Sequence, residues 1–123
     1  MSKVLIVDDE PHLRLLYETE LRRAGFETMT AGNAAQGLEF VETMNPDLVI
    51  LDIRMAGMDG IEALQRILER DNTVPVVLNT AYSSYKDNYL TWAADAYVVK
   101  SSDVTELVDT VKDLVDTRTA ARN

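Results

Sequence analysis

At 123 residues, with no cysteine and a net charge of −9, the chain is sized for one domain, has no disulfide or thiolate chemistry, and opposes a phosphate backbone, which argues against direct nucleic-acid binding. Apolar residues make up 46% and charged residues 27%, the balance of an ordinary globule, and no apolar run nears the ~20 residues that span a bilayer. The opening Met1-Ser2-Lys3-Val4 lacks the length and cleavage pattern of a signal peptide, so a cytoplasmic protein without a membrane association is expected.

Val4-Leu5-Ile6-Val7 is apolar throughout and reads as a strand buried on both faces. Pro11 suits a first helical turn, Leu13, Leu16, Tyr17 and Leu21 recur at three or four residues, and Gly25 supplies a stop, which predicts a helix over 11–24. Phe26 to Ala31 alternates more and reads as an edge strand. Asn33 can cap a second helix carrying Ala34, Leu38 and Val41 and ending before Pro46. Leu48-Val49-Ile50-Leu51 is a third strand, and a helix follows Gly60 with Ile61, Leu64, Ile67 and Leu68 on one face. Val76-Val77-Leu78 is a fourth strand, and Asn79 is an unusual polar residue at its end, either hydrogen-bonded within the core or adjusting the helix that follows.

Five of the eight aromatic residues lie between 82 and 97. Tyr85, Tyr89 and Trp92 share one face of a fourth helical segment, as a stripe packed on the sheet or as an exposed docking surface. Ala96-Tyr97-Val98-Val99 is a fifth strand. The last helix opens with Asp103-Val104-Thr105-Glu106, a capping-box pattern with Asp103 in the cap position, and continues with Leu107, Val108, Val111, Leu114 and Val115. One domain over 1–118 is expected, followed by a disordered tail over 119–123. Strand and helix alternating five times imply a parallel sheet covered on both sides.

In an open α/β sheet, ligands bind beyond the carboxyl ends of the strands. There the first strand delivers Asp8-Asp9-Glu10, the third Asp52, the fourth Thr80 and the fifth Lys100. Carboxylates gathered in a partly desolvated cleft repel one another, so a cation is needed, and a set without Cys or His favours Mg²⁺ over Zn²⁺. Mg²⁺, an ammonium from Lys100, a hydroxyl from Thr80 and one free carboxylate are the parts needed to receive a phosphoryl group. Asp52, alone at the centre of the rim, is the candidate nucleophile, and paired Asp8 and Asp9 read as metal ligands. Glu10 and Asp59 read as helix and turn initiators, and His12 as a solvated residue.

Val7-Asp8-Asp9-Glu10, Leu51-Asp52-Ile53-Arg54-Met55 with Met58-Asp59-Gly60, Thr80-Ala81-Tyr82, and Ala94-Asp95-Ala96-Tyr97-Val98-Val99-Lys100 together resemble the receiver domains of bacterial two-component response regulators, over about residues 3–116. The resemblance implies a flavodoxin-like (βα)5 fold with strand order 2-1-3-4-5. It implies that Asp52 accepts a phosphoryl group from a sensor histidine kinase or a histidine phosphotransfer protein. Asp9 and Asp52, Asp8 through a water, and the backbone carbonyl of Arg54 would hold Mg²⁺. Thr80 would move toward the phosphoryl group and Lys100 would pair with it. Tyr97 would change rotamer as the readout, although fixed packing is an equal reading for it. Arg54 and Tyr82 stand where the family tunes hydrolysis of the acyl phosphate.

A downstream protein target would dock on the face formed by the fourth helix, fifth strand and fifth helix, and the domain would be a monomer or weak dimer. It would act as a phosphoacceptor that also hydrolyses its own product, not as a turnover enzyme. Departures from the pattern are Ser101, where receivers usually carry a proline after a cis bond, Ser102, where an apolar aromatic is common, and a shortened interval from Thr80 to Lys100. A cis bond before serine would cost ~2.5–4 kcal/mol, so a trans bond and an altered loop are expected. Should that loop displace Lys100, phosphorylation or its consequence would be weakened; the missing proline and the short fourth helix also motivate an alternative, an unphosphorylated pseudo-receiver acting as a constitutive interaction module, which the intact acidic residues disfavour. A small aspartyl-phosphate hydrolase is disfavoured, because Arg54 stands where its second aspartate would be.

Overall fold

The computed structural model describes residues 2–55, 57, 59–81 and 93–122, with side chains to 117. The elements run β1 (Lys3–Val7), α1 (Pro11–Arg23), β2 (Glu27–Ala31), α2 (Ala34–Met44), β3 (Leu48–Leu51), α3 (Gly60–Arg70), β4 (Val76–Thr80), β5 (Ala96–Val99) and α4 (Thr105–Arg122). All five strands are parallel in the order β2-β1-β3-β4-β5, the doubly wound arrangement that the resemblance implies. The fourth helical segment, with Tyr82, Tyr85, Tyr89 and Trp92, lies outside the described residues.

Strand side chains alternate between the two faces of the sheet, so each strand feeds two cores. Leu5, Val7, Val49, Leu51, Val76 and Leu78 pack with Leu38 and Val41 of α2 and Leu64 and Ile67 of α3. Val4, Ile6, Leu48, Ile50, Val77 and Val98 pack with Tyr17 and Leu21 of α1 and Leu107, Val111 and Val115 of α4. Leu5, Ile6, Leu48 and Leu78 are wholly buried, each contributing roughly 1.5–3 kcal/mol by leaving water. This explains why the central strands are apolar through Val4–Val7, Leu48–Leu51 and Val76–Leu78.

Helix ends follow local chemistry. Helix α1 stops at Arg23, one residue short of expectation, because Ala24 caps it and Gly25 takes φ +99°. Asn33 caps α2, its Oδ1 accepting from the Gln36 N–H at 2.8 Å. Asp59 caps α3 through the Glu62 N–H at 2.9 Å. One expectation needs correction. Asp103 accepts from Thr105, at 2.9 Å from the backbone N–H and 2.6 Å from the hydroxyl, while its own N–H donates to Ser101 Oγ at 3.2 Å, so the reciprocal bond to Glu106 is replaced by an Asx turn. Helix α4 runs to Arg122.

Candidate functional site

The parallel ladder carries its register past the strand ends. Asp8 N–H donates to Ala31 O at 3.1 Å, Asp52 N–H to Val7 O at 3.0 Å, and Lys100 N–H to Thr80 O at 2.7 Å. Asp8, Asp52 and Lys100 therefore stand level on one rim. They share the parity of Ile6, Ile50 and Val98, so all three side chains lean to the α1/α4 side of the sheet. The acidic residues at the opposite rim do different work: Asp47 and Asp95 accept from the N–H groups of Lys3 at 2.8 Å and Val76 at 2.9 Å and seal the strand starts.

Lys100 ties the rim together. Its Nζ lies 2.9 Å from Asp8 Oδ2, 3.1 Å from Asp52 Oδ2 and 3.9 Å from Glu10 Oε1. The departure at Ser101 leaves this lysine in place, and no peptide bond among the described residues is cis. Asp8 is 2% exposed and Asp52 4%, so both carboxylates are largely withdrawn from water, whereas Asp9 and Glu10 are exposed. The second oxygen of Asp8 accepts from the Glu10 N–H at 3.0 Å and that of Asp52 from the Arg54 N–H at 3.3 Å.

Burial pushes the Asp52 carboxyl above the usual range, with Lys100 opposing that rise and the Asp8 charge adding to it. Burial works against the charge of Lys100, but the hydrogen bond and charge of Asp8, then those of Asp52, overcome it and raise its pKa. The apparent conflict, a lysine whose charge is strengthened beside an aspartate whose charge is weakened, resolves in geometry. One ammonium is shared between two carboxylates, and Asp8 takes the shorter contact.

Asp8, Asp9 and Glu10 can each turn a carboxylate oxygen to within 4.8 Å of the others. This all-oxygen set, without His or Cys, matches the donor chemistry of a hard divalent cation such as Mg²⁺. Asp52 falls outside that triad, and Glu10 falls within it. Glu10 occupies the N-cap position of α1 without making a side-chain cap bond; its carboxylate instead faces His12 at 3.5 Å and Lys100. Thr80 is fully buried at the end of β4, and Tyr97 is half-buried against the α2/α3 core.

Two residues that shape the site were not singled out from sequence. Arg14 Nη1 donates to the Asp8 carbonyl at 2.6 Å, pinning the turn that carries the acidic residues; its position four residues after Glu10, on the helix flank facing the rim, was the available signal. Gly60 brings the first turn of α3 against the acceptor: a Cβ there would sit 2.2 Å from Asp52 O and 2.5 Å from Ile53 Cα. Its N–H donates to Ile53 O at 2.7 Å. The Asp59-Gly60 pair was visible in sequence, but this backbone approach is a tertiary contact that no local pattern encodes.

The sequence model described as the response regulator receiver domain matches residues 4–112. Sporulation initiation phosphotransferase F of Bacillus subtilis (strain 168) is 37% identical over 113 residues, covering 90% of this chain and 91% of its own length. Regulatory protein AtoC of Escherichia coli (strain K12) is 38% identical over 109 residues, 87% of this chain but only 24% of AtoC. The crystal structure of response regulator TrrA from Thermotoga maritima in complex with Mg²⁺-BeF is 44% identical, with a TM-score of 0.90 over 93% of this chain and 99% of that one. TrrA in complex with histidine kinase ThkA gives a TM-score of 0.87, over 93% and 98%.

Proposed function

Because the chain belongs to the response regulator receiver domain family, whose members signal through phosphorylation, we propose that Asp52 is its phosphoacceptor and that the phosphoryl group comes from a phosphohistidine of a sensor kinase or phosphotransfer protein. The observation that carries this reading is the buried Asp52 carboxylate held 3.1 Å from Lys100 beside the acidic triad. An Asp52 oxygen forms the bond to phosphorus as the P–N bond breaks, and the electron pair leaves with the imidazole, which takes up a proton. Lys100, already within hydrogen-bond distance of the attacking carboxylate, moves onto the oxygens of the transferred group. Asp8, Asp9 and Asp52, with the Arg54 carbonyl, would hold Mg²⁺, and Glu10 is close enough to join them. The ion supplies charge neutralisation at the phosphoryl oxygens.

Thr80 then closes on the modified Asp52, and Tyr97 reports the change by altering its packing. Arg54 and Tyr82 stand at the sequence positions where the family tunes the lifetime of the acyl phosphate. The modified domain acts on a protein target through the surface of β5, α4 and the segment between Thr80 and Lys100, as a monomer or weak dimer in the cytoplasm. The kinase-bound TrrA structure supports the donor class, and the Mg²⁺-BeF complex supports the cofactor. The charge of −9 argues against nucleic-acid contact by this segment.

The test is exposure to acetyl phosphate, or to beryllofluoride with Mg²⁺, followed by intact mass and Trp92 fluorescence. One phosphoryl adduct, or a Mg²⁺-dependent fluorescence response, that disappears in Asp52→Asn is the expected result. A folded protein with neither would leave the constitutive interaction module as the better account.

A further inference from the structure

On the side of the sheet covered by α1 and α4, the neighbouring strands β1, β3 and β4 present Val4, Ile6, Leu48, Ile50 and Val77, and the one polar residue among them is Asn79. Asn79 shares the parity of Val77, so its side chain enters the cluster of Tyr17, Val98 and Leu107. It is 2% exposed, and its Nδ2 has no hydrogen-bond partner. Of the two roles open to it from sequence, hydrogen bonding within the core is only partly met: the Tyr17 hydroxyl stands beside the amide, yet Nδ2 finds no partner in full hydrogen-bond geometry. An unpaired buried amide is costly, and native interiors answer nearly all such groups with a protein partner or an ordered water.

A cavity of about 10 Å³ adjoins it, lined by Tyr17, Asn79, Ser101, Asp103 and Glu106 among others, which is about the space one water fills. The Tyr17 phenol is raised by burial, opposed by the Asn79 amide beside it and then by Lys100, and felt also by Asp8 and Asp52. Asn79 stands level with Val98, two residues before Lys100, so the pair lies one step below the rim. The roof of the cavity is the β5–α4 loop that begins at Ser101. Among the described residues the hydrogen bonds of Ser101, Asp103 and Thr105 stay within that loop, and the backbone of Lys100 is anchored by its bond to Thr80 O at 2.7 Å. Past Lys100 the side-chain hydrogen bonds of the loop therefore run to the loop itself and not to β4 or α1.

We propose that Asn79 is a positioning residue for Lys100, acting through one buried water that its amide and the Tyr17 hydroxyl hold beneath the β5–α4 loop. The water completes the amide, ties the loop to β4 and α1, and so fixes the lysine that two carboxylates share. The proposal extends the phosphoacceptor reading, since a displaced Lys100 could no longer serve a phosphoryl group on Asp52.

The experiment uses the whole chain in three measurements: magnetisation transfer from a long-lived water to the Asn79 side-chain amide, solvent exchange of the Lys100 ammonium by NMR without Mg²⁺, and the beryllofluoride concentration for half-saturation with Mg²⁺. The parent protein is expected to show the water contact. Asn79→Leu, nearly the same shape without the amide, is expected to melt close to the parent temperature, because the amide and its water are replaced together by apolar volume. Its Lys100 ammonium should nonetheless exchange faster, and half-saturation should rise about tenfold, the lower end of what losing a supporting partner does to a ligand site. No water contact in the parent overturns the proposal. So does a lowered melting temperature in Asn79→Leu with Lys100 exchange unchanged, the result a merely structural side chain would give. If Asn79→Leu does not fold, Tyr17→Phe is read by the same criteria. A parent protein indifferent to beryllofluoride would remove the phosphoacceptor reading, while the water contact and Lys100 exchange would still decide the role of Asn79.

Discussion

Lys100 sits between Asp8 and Asp52 at 2.9 and 3.1 Å, and one positive charge cannot satisfy two buried carboxylates. Asp52 bears the deficit, its pKa raised chiefly by burial. The native state then holds this proton to higher pH than the unfolded chain does, so stability falls as pH rises from the unfolded value through the native one. Asp52→Asn removes that loss and leaves Lys100 paired with Asp8. The variant should match the parent near pH 3 and melt higher near pH 7, by about 1 kcal/mol or a few degrees, in denaturation followed across that range. Equal melting at both pH values would contradict it. These residues were legible because each ends an apolar strand, where a charged side chain has no place in the core. Glu10 was not, since a carboxylate at a helix start serves a cap and a metal triad equally well in sequence. Tyr17 was read only as a core repeat for a similar reason: helical periodicity identifies its face and is silent about what its hydroxyl meets.

Helix α3 reaches the acceptor strand only because its first residue lacks a side chain. The atoms a Cβ at Gly60 would strike, Asp52 O and Ile53 Cα, are backbone and cannot rotate aside. Gly60→Ala is therefore expected to lose roughly 3 kcal/mol by forcing α3 outward, and to lower beryllofluoride binding with it. Asn33→Ala, which removes the cap of α2 on the Gln36 N–H, should cost only about 1 kcal/mol and leave the response intact. Chemical denaturation of the two variants, with beryllofluoride titration alongside, separates a helix that positions the acceptor from one that supports the sheet. The caps at Asn33 and Asp59 were readable because capping is local. The end of α1 was predicted to within a residue for the same reason. The start of α4 was misread, since the same Asp103 can accept from the second or the third residue onward and the loop from Lys100 decides which.

The alternation of strand and helix implied a parallel sheet, but periodicity alone does not order five strands; the order β2-β1-β3-β4-β5 became an expectation only through the resemblance. What the order achieves is electrostatic: β1 and β3 become neighbours, and their terminal aspartates converge in a molecule already carrying −9. A divalent ion bound there favours the folded state, and the gain grows as RT ln(1 + [L]/Kd), about 2.7 kcal/mol at a hundredfold excess over Kd. Thermal melting should therefore rise with added Mg²⁺, fall back on chelation, and respond weakly in Asp9→Asn. The shared lysine also makes the rim a judge of valence. Asp8 is already occupied by an ammonium, so a potassium ion offers only the charge that is there, whereas a doubly charged ion brings more than it must share. Potassium at high concentration should leave the Mg²⁺ dependence of the intact protein almost unmoved and compete visibly in Lys100→Met, which would make this side chain the gatekeeper that keeps the commonest cation out.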